Sequence, residues 1–355
     1  MIARAVCEDA FREAVRACDP ARLVREELAA HPLGRRDVYA LAIGKAALAM
    51  ARGAGPVARG LAVAPQLDGA PLPLGWTARD AAHPEPDARS LAAGEVAIEL
   101  VESAGPGDVV LALMSGGASA LVEQPAPGVT PDQLRDDIRE LMHHGAEIHA
   151  INAERVRLSA IKGGKLARRS RAPVVTLAIS DVYDDDIAVI GSGPMIARRA
   201  GDRQRVIAPM RMFAEAMRAR LGLSLYAMGS VLVTTLEIPD GVVAWGEPTV
   251  QVPADHGEGG RAQQLALRLA RDLRRTDRSA FVAGSDGIDG PPPRGRPAPA
   301  GAYVDGSTWD AIAAAGLDPQ RALDRCDAGP ALAAVGALFV TGPTGINHAD
   351  VAVVA

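Results

Sequence analysis

The chain has 355 residues, enough for a sizeable core and for two domains. Its formal charge of -5, with no basic run interleaved with aromatics, excludes a dedicated nucleic-acid binder. Aromatics make up only 3% of the residues, so aliphatic packing must carry the core. Cys7, Cys18 and Cys326 are odd in number and far apart, which excludes a disulfide framework and a paired-cysteine metal site. No basic segment followed by an apolar run opens the chain and no 18-residue apolar stretch occurs, so a soluble cytoplasmic protein without a membrane partner is expected.

Residues 2–18 carry apolar side chains at helical spacing, and Asp19-Pro20 ends the pattern. Residues 38–43 read as a buried strand running into Gly44-Lys45 and a helix of small residues. A strand, a glycine turn and a helix present backbone N–H groups to a phosphate. His83 to Asp87 form an extended loop with Asp87 as N-cap of the next helix. His83 is either a ligand contact or a solvated loop residue.

Residues 108–114 form the next buried strand, followed by Ser115-Gly116-Gly117-Ala118-Ser119. Its glycines permit close approach and its hydroxyls offer donors to an anion. The pattern is not the G-x-S-x-G elbow, which argues against a serine nucleophile. Residues 131–162 read as helical, and His143, His144 and His149 lack metal-binding spacing. Asn152, Arg155, Ser159 and Lys162 would share one face of that helix, as an anion site or as a solvated face.

The strand 174–179 places Asp181 at its C-terminal end, where ligands bind in open α/β sheets. Asp184, Asp185 and Asp186 read as a solvated acidic turn, with Mg²⁺ ligation as the competing reading. A helix is expected at about 204–221, a domain boundary near 225–230 and strands within 229–252. Gly257 to Arg261 open an amphipathic helix, a glycine-rich start suited to an anion. The strand 280–284 leads to Asp286 and Asp289, as metal ligands or turn caps. Pro291 to Pro299 form a surface loop, and the strand 336–341 ends at Gly342 to Asn347.

Lysine is rare: Lys45, Lys162 and Lys165 are the only three, and each adjoins a glycine. Arginine supplies nearly every other positive charge, so these positions require a compact ammonium rather than a planar fork. A narrow phosphate pocket is one such requirement, and chance survival beside glycines is the alternative.

Taken in order, GKAA, HPEPD, SGGASAL, LSAIKGGKLA, SDV, GSGP, GGR, GSDGIDG, AGAYVD and TGPTGIN make the chain resemble the glycerate 2-kinase family of MOFRL-type proteins, some labelled hydroxypyruvate reductase. The resemblance implies an α/β protein. A Rossmann-like domain with a parallel sheet would span residues 1–228 and a smaller α/β domain 229–355, with the active site in the cleft. It implies ATP- and Mg²⁺-dependent phosphorylation of the 2-hydroxyl of D-glycerate or a related hydroxy acid. Lys45 resembles the phosphate-stabilising lysine, and Asp181 the acidic residue that orients the hydroxyl or accepts its proton. Ser115, Gly116, Gly117, Ser119, Asn152, Arg155, Lys162, Arg261 and Asn347 are the candidate substrate or phosphate contacts; Asp181 and Asp286 are the candidate metal ligands. The expected partners are a hydroxy acid and a nucleotide, with a homodimer open.

The chain departs from the family at Val156, Arg157, Ala262 and the stretch Met195 to Arg199. Those departures keep open a paralogue with a different substrate, or one that binds a phosphorylated or carboxylate ligand without kinase turnover. An NAD-dependent reductase lacks its signature, since no G-x-G-x-x-G follows a strand with an acidic residue about 20 positions on.

Overall fold

The apolar runs near residues 38, 109 and 174 become the middle of one parallel sheet in the computed structural model, which describes all residues except 145–147, 197–198 and 292–296, and not the side chains of 142, 143, 148 and 149. The strands are β1 (Val38–Ile43), β2 (Arg59–Ala64), β3 (Trp76–Asp80), β4 (Val109–Met114), β5 (Val174–Ile179) and β6 (Arg203–Ala208). Their order is β3-β2-β1-β4-β5-β6, all parallel. Every residue of β4 and β5 is buried, as a parallel sheet covered on both faces requires. The outer strands β3 and β6 are polar and exposed over much of their length, which protects the edges from further pairing. This is the order of doubly wound nucleotide-binding sheets, in which the strand order reverses between β1 and β4.

A second sheet contains β7 (Ser224–Gly229), β8 (Val242–Gly246), β9 (Ser279–Gly284), β10 (Gly301–Asp305), β11 (Leu338–Phe339) and β12 (Asp350–Val354). Its order is β11-β10-β9-β12-β8-β7, antiparallel except for the pair β7 and β8.

The chain divides into two compact units, residues 19–209 and residues 1–18 with 210–355. The expected division at 228/229 follows chain order, whereas the units do not. The reason is aromatic. Phe11 of the helix Arg4–Ala17 lies 5.0 Å from Phe213 and 5.1 Å from Phe339 between ring centroids. Phe281 meets Phe339 at 5.0 Å, so the chain's four phenylalanines form one edge-to-face cluster. That cluster ties the first helix to the second sheet.

Three expected elements differ. The helix expected over 131–162 is two helices, Pro131–His143 and Ile148–Leu158. After Leu158 the chain turns to pair with 124–126, Ala126 N donating to Leu158 O at 2.7 Å and Ala160 N to Gln124 O at 2.7 Å. The segment 204–221 begins with the edge strand β6, and its helix is Met212–Leu221. The strand expected at 336–341 shortens to β11. Asp87 caps the helix Ala88–Ser103 as expected, in a reciprocal box with Ser90.

Candidate active site

The switch point is built by contact between the loops that leave β1 and β4. Gly44 has φ +130, and a Cβ on it would stand 2.1 Å from Ser115 Oγ and 2.5 Å from the Ser115 carbonyl oxygen. Only glycine lets these loops touch. The Ser115 hydroxyl, wholly buried, accepts from Ala46 N at 3.1 Å and donates to Ile43 O at 3.4 Å. Lys45 N donates to Gly116 O at 2.9 Å. The Ser115 hydroxyl, expected as an anion donor, joins the two loops in this structure.

The exposed side chains converge on Gly117. A Cβ there would lie 3.0 Å from His83 Cδ2, 3.1 Å from His83 Nε2 and 3.6 Å from Lys45 Cγ. Partial burial lowers the His83 pKa, and the charges of Lys45 and Arg155 lower it further. The same cluster thus holds the exposed Lys45, an imidazole whose pKa is lowered and the half-buried Arg155 guanidinium. Burial lowers the Arg155 pKa against the attraction of Glu123. His83 belongs to this group although its sequence position distinguished it from a solvated loop residue by nothing but the motif around it. Gly116 is buried, and Ser119 is half-buried on the short helix Ala118–Leu121.

Asn152 is 8% exposed on the helix Ile148–Leu158. Its Oδ1 accepts from Ser192 Oγ at 2.8 Å, and its Nδ2 has no partner among the described residues. Ser192 sits between Gly191 and Gly193 in three consecutive left-handed conformations, φ 60, 60 and 56. A Cβ on Gly191 would stand 2.7 Å from Ala118 Cβ, so this loop rests on the short helix after Gly117. Ser192 was missed as a partner of Asn152; the tight turn Gly191-Ser192-Gly193-Pro194 was its only signal.

Lys162 and Lys165 serve a different purpose from the one expected. Lys162 is 0% exposed, and its Nζ donates to Ser119 O at 2.7 Å and Val122 O at 2.9 Å, with Glu123 Oε2 at 3.7 Å. Burial lowers its pKa and Glu123 opposes. Lys165 Nζ donates to Val156 O at 2.5 Å and Ser159 O at 2.6 Å. Both ammonium groups bind carbonyls left open at helix C-termini. A compact donor fits these enclosed points, and the Lys162 ammonium, expected at a phosphate, is held by backbone carbonyls. Ser159 lies beyond the helix and donates to buried Glu123 at 2.5 Å, so the four-residue face reduces to Asn152 and Arg155.

Asp181 is half-buried just past β5, beside Ser180, whose hydroxyl accepts from Val182 N at 3.3 Å. Asp184 and Asp186 cap turns, accepting from Asp186 N at 3.2 Å and Ala188 N at 2.9 Å. The His143 and His149 side chains lie outside the described residues, and His144 Nδ1 contacts Glu140 O at 2.8 Å on the surface. Ala197, Arg198 and residues 292–296 of the proline-rich loop also lie outside the described residues.

In the other unit Arg261 is already engaged. Its Nε donates to Asp350 Oδ2 at 2.6 Å and its Nη2 to Glu247 Oε1 at 2.9 Å. These partners raise its pKa against burial, and burial pushes the Asp350 carboxyl up to about 7 while Arg261 pulls it down. Asp289 is a helix cap: it accepts from Ala262 N at 2.9 Å and Gln263 N at 2.7 Å. A Cβ on Gly260 would lie 2.2 Å from Asp289 Oδ1, which explains that glycine. Asn347 is buried, with His348 N donating to Ser285 Oγ at 2.7 Å next to it. Asp286 is half-buried and accepts from Ile288 N at 3.1 Å. Among the described residues no group of three or more His, Cys, Asp or Glu side chains could hold a metal ion, and Asp181 and Asp286 belong to different units.

The departures at Val156, Arg157, Met195 and Ala262 fall largely in core and surface. Met195 is 1% and Ala262 0% exposed. Arg157 is exposed and paired with Glu154 at 2.5 Å, and Val156 is half-buried with its carbonyl held by Lys165.

Comparison with known proteins agrees with this architecture. Residues 6–221 match the domain of unknown function DUF4147, and residues 241–350 match the MOFRL family. The chain is 30% identical to a glycerate 2-kinase of Pyrococcus horikoshii, over 98% of this chain and 96% of that protein. It is 30% identical to a D-glycerate 2-kinase of Thermotoga maritima, over 96% and 95%. A relative from Agrobacterium vitis, provisionally named hydroxypyruvate reductase, is 32% identical over 98% and 93%. The crystal structure of a Thermotoga maritima glycerate kinase superposes with a TM-score of 0.84 at 28% identity, covering 98% of each chain. No helix among the described residues is long and apolar enough to cross a membrane. The two matched domains, in this order and over nearly the full length of both chains, place this protein in the glycerate 2-kinase family, as an enzyme of the kinase class.

Proposed function

We propose that the protein transfers a phosphoryl group from ATP to the 2-hydroxyl of D-glycerate. The observation that carries this reading is the convergence of Lys45 and His83 on Gly117, with the Arg155 charge acting on His83, at the point where the sheet order reverses. Ligands of doubly wound sheets bind there. Phosphoryl transfer asks mainly for positioning and charge neutralisation. Lys45 would neutralise the transferring phosphate. The half-buried Arg155 guanidinium and the Asn152 amide, whose Nδ2 no described residue engages, would hold the hydroxy-acid carboxylate. Asp181 would accept the hydroxyl proton from its place after β5.

Mg²⁺ in such enzymes keeps several waters and is held by one or two carboxylates plus substrate phosphates. Asp181 would be its protein ligand, with Asp286 the further candidate, and the ion would add charge neutralisation. The names of the relatives support glycerate as the substrate. Cytoplasmic nucleotide would be the phosphate donor. A reductase reading rests on the provisional names of relatives such as the two from Agrobacterium vitis, and the loop after β1 is Gly44-Lys45 rather than the dinucleotide fingerprint. ADP release from ATP and Mg²⁺ with a panel of hydroxy acids tests the proposal. Release with D-glycerate supports it; release only with another acid overturns the substrate, and NADH oxidation by hydroxypyruvate overturns the reaction.

A further inference from the structure

The helix Arg261–Asp272 has a second polar face, away from Arg261, that lines a crevice of about 310 Å³. Gln264 and Arg268 stand there one helical turn apart. Leu232, Val250 and Leu323 give it apolar walls, and Cys326 borders it. Gln264 is 6% and Arg268 8% exposed. Gln264 Nε2 donates to Leu323 O at 2.7 Å, which fixes the amide orientation. Its Oε1 is then a buried acceptor with no partner among the described residues. Arg268 Nε is likewise a buried donor without a hydrogen bond; Asp272 Oδ2 lies 3.5 Å away and completes none.

An unsatisfied buried polar atom is costly, so an acceptor and a donor left unpaired one helical turn apart, on two residues that line a crevice, call for an occupant. Arg268 and Arg271 pair with Asp272, and Asp324 lines the same crevice, which favours a neutral occupant over a strongly anionic one.

We propose that this crevice binds a small neutral molecule with a planar amide-type edge: an N–H donor beside a carbonyl or ring-nitrogen acceptor, as a nucleobase or a free carboxamide presents. The N–H donates to Gln264 Oε1, the adjacent acceptor receives Arg268 Nε–H, and the apolar walls cover the flat faces. Binding here is independent of the kinase reading, because no residue of the crevice is assigned to that reaction.

Cys326 supplies a local readout, since Cys7 and Cys18 are buried and Cys326 is half-buried. Adenosine, cytidine and nicotinamide, each at millimolar concentration, are tested for slowing alkylation of Cys326 in the full chain. Methyl NMR shifts of Val250 and Leu323 read the same event independently. At least one probe is expected to slow alkylation severalfold and to shift both methyl signals. Gln264→Leu is expected to abolish the effect. Thr234→Trp, at an exposed position of the crevice, closes it without altering the core and serves if Gln264→Leu does not fold. Protection by the nucleosides alone identifies a nucleobase site, and protection by nicotinamide alone a carboxamide site. No protection by any probe, or protection that survives both folded variants, overturns the proposal and leaves the crevice to water.

Discussion

The Cβ position of Gly44 lies 2.1 Å from Ser115 Oγ, so the loop after β1 rests directly on the loop after β4. The Ser115 hydroxyl occupies the space a side chain would need and ties both loops together. Gly44→Ala is expected to cost about 3 kcal/mol or more from overpacking and a positive φ. Ser115→Ala should cost only about 1–3 kcal/mol, from backbone groups left unpaired. Thermal and urea unfolding check the ranking, and an equal cost for the two contradicts the contact.

Lys162 separates structural from catalytic cations. Lys162→Ala leaves Glu123 buried without its ion-pair partner and should cost about 3–5 kcal/mol. Adding Glu123→Gln should recover part of that loss. Lys162→Arg should also destabilise, because a planar fork cannot replace a compact donor between Ser119 O and Val122 O. Wild-type stability in Lys162→Arg contradicts the account of why lysine stands there.

His83 makes the charge of the candidate site measurable. Burial lowers its pKa from the usual 6.5, with Lys45 and Arg155 acting in the same direction. A depressed group contributes stability that is present above its unfolded value and is lost as pH falls through the folded value. NMR titration should therefore place the His83 midpoint below 6.5. Lys45→Ala should raise it, and inorganic phosphate should raise it further by favouring the imidazolium. A midpoint unmoved by both places His83 outside the cluster.

Asp289 tests a cap contributed from another loop. Asp289→Ala removes the acceptor for two N–H groups of the helix Arg261–Asp272 and should cost about 2 kcal/mol. Thermal unfolding measures it; an unchanged midpoint denies the cap.

The parallel sheet was legible because β1, β4 and β5 are continuous apolar runs bounded by turn-forming residues, Asp37 and Gly44, Asp108 and Ser115, and Pro173 and Ser180, and their ends agree with the reading to within a residue. The edge strand β6 was not legible, since Arg203, Gln204 and Arg205 carry no apolar alternation and only pairing with β5 makes them a strand. The placement of the first helix with the second sheet depends on Phe11 meeting residues more than two hundred positions away, which periodicity cannot reveal. Lysine rarity marked places that need a compact cation. It did not reveal that Lys162 and Lys165 bind carbonyls while Lys45 is exposed, because that distinction lies in tertiary contacts.

The central claim is that Lys45 acts on phosphate in glycerate phosphorylation. Steady-state ADP release with ATP, Mg²⁺ and D-glycerate, measured side by side for the wild type, Lys45→Ala and Asp181→Asn, tests it most directly. Turnover is expected in the wild type, with a fall of about two to four orders of magnitude in each variant and unchanged thermal unfolding. Near-wild-type turnover in folded Lys45→Ala would contradict it.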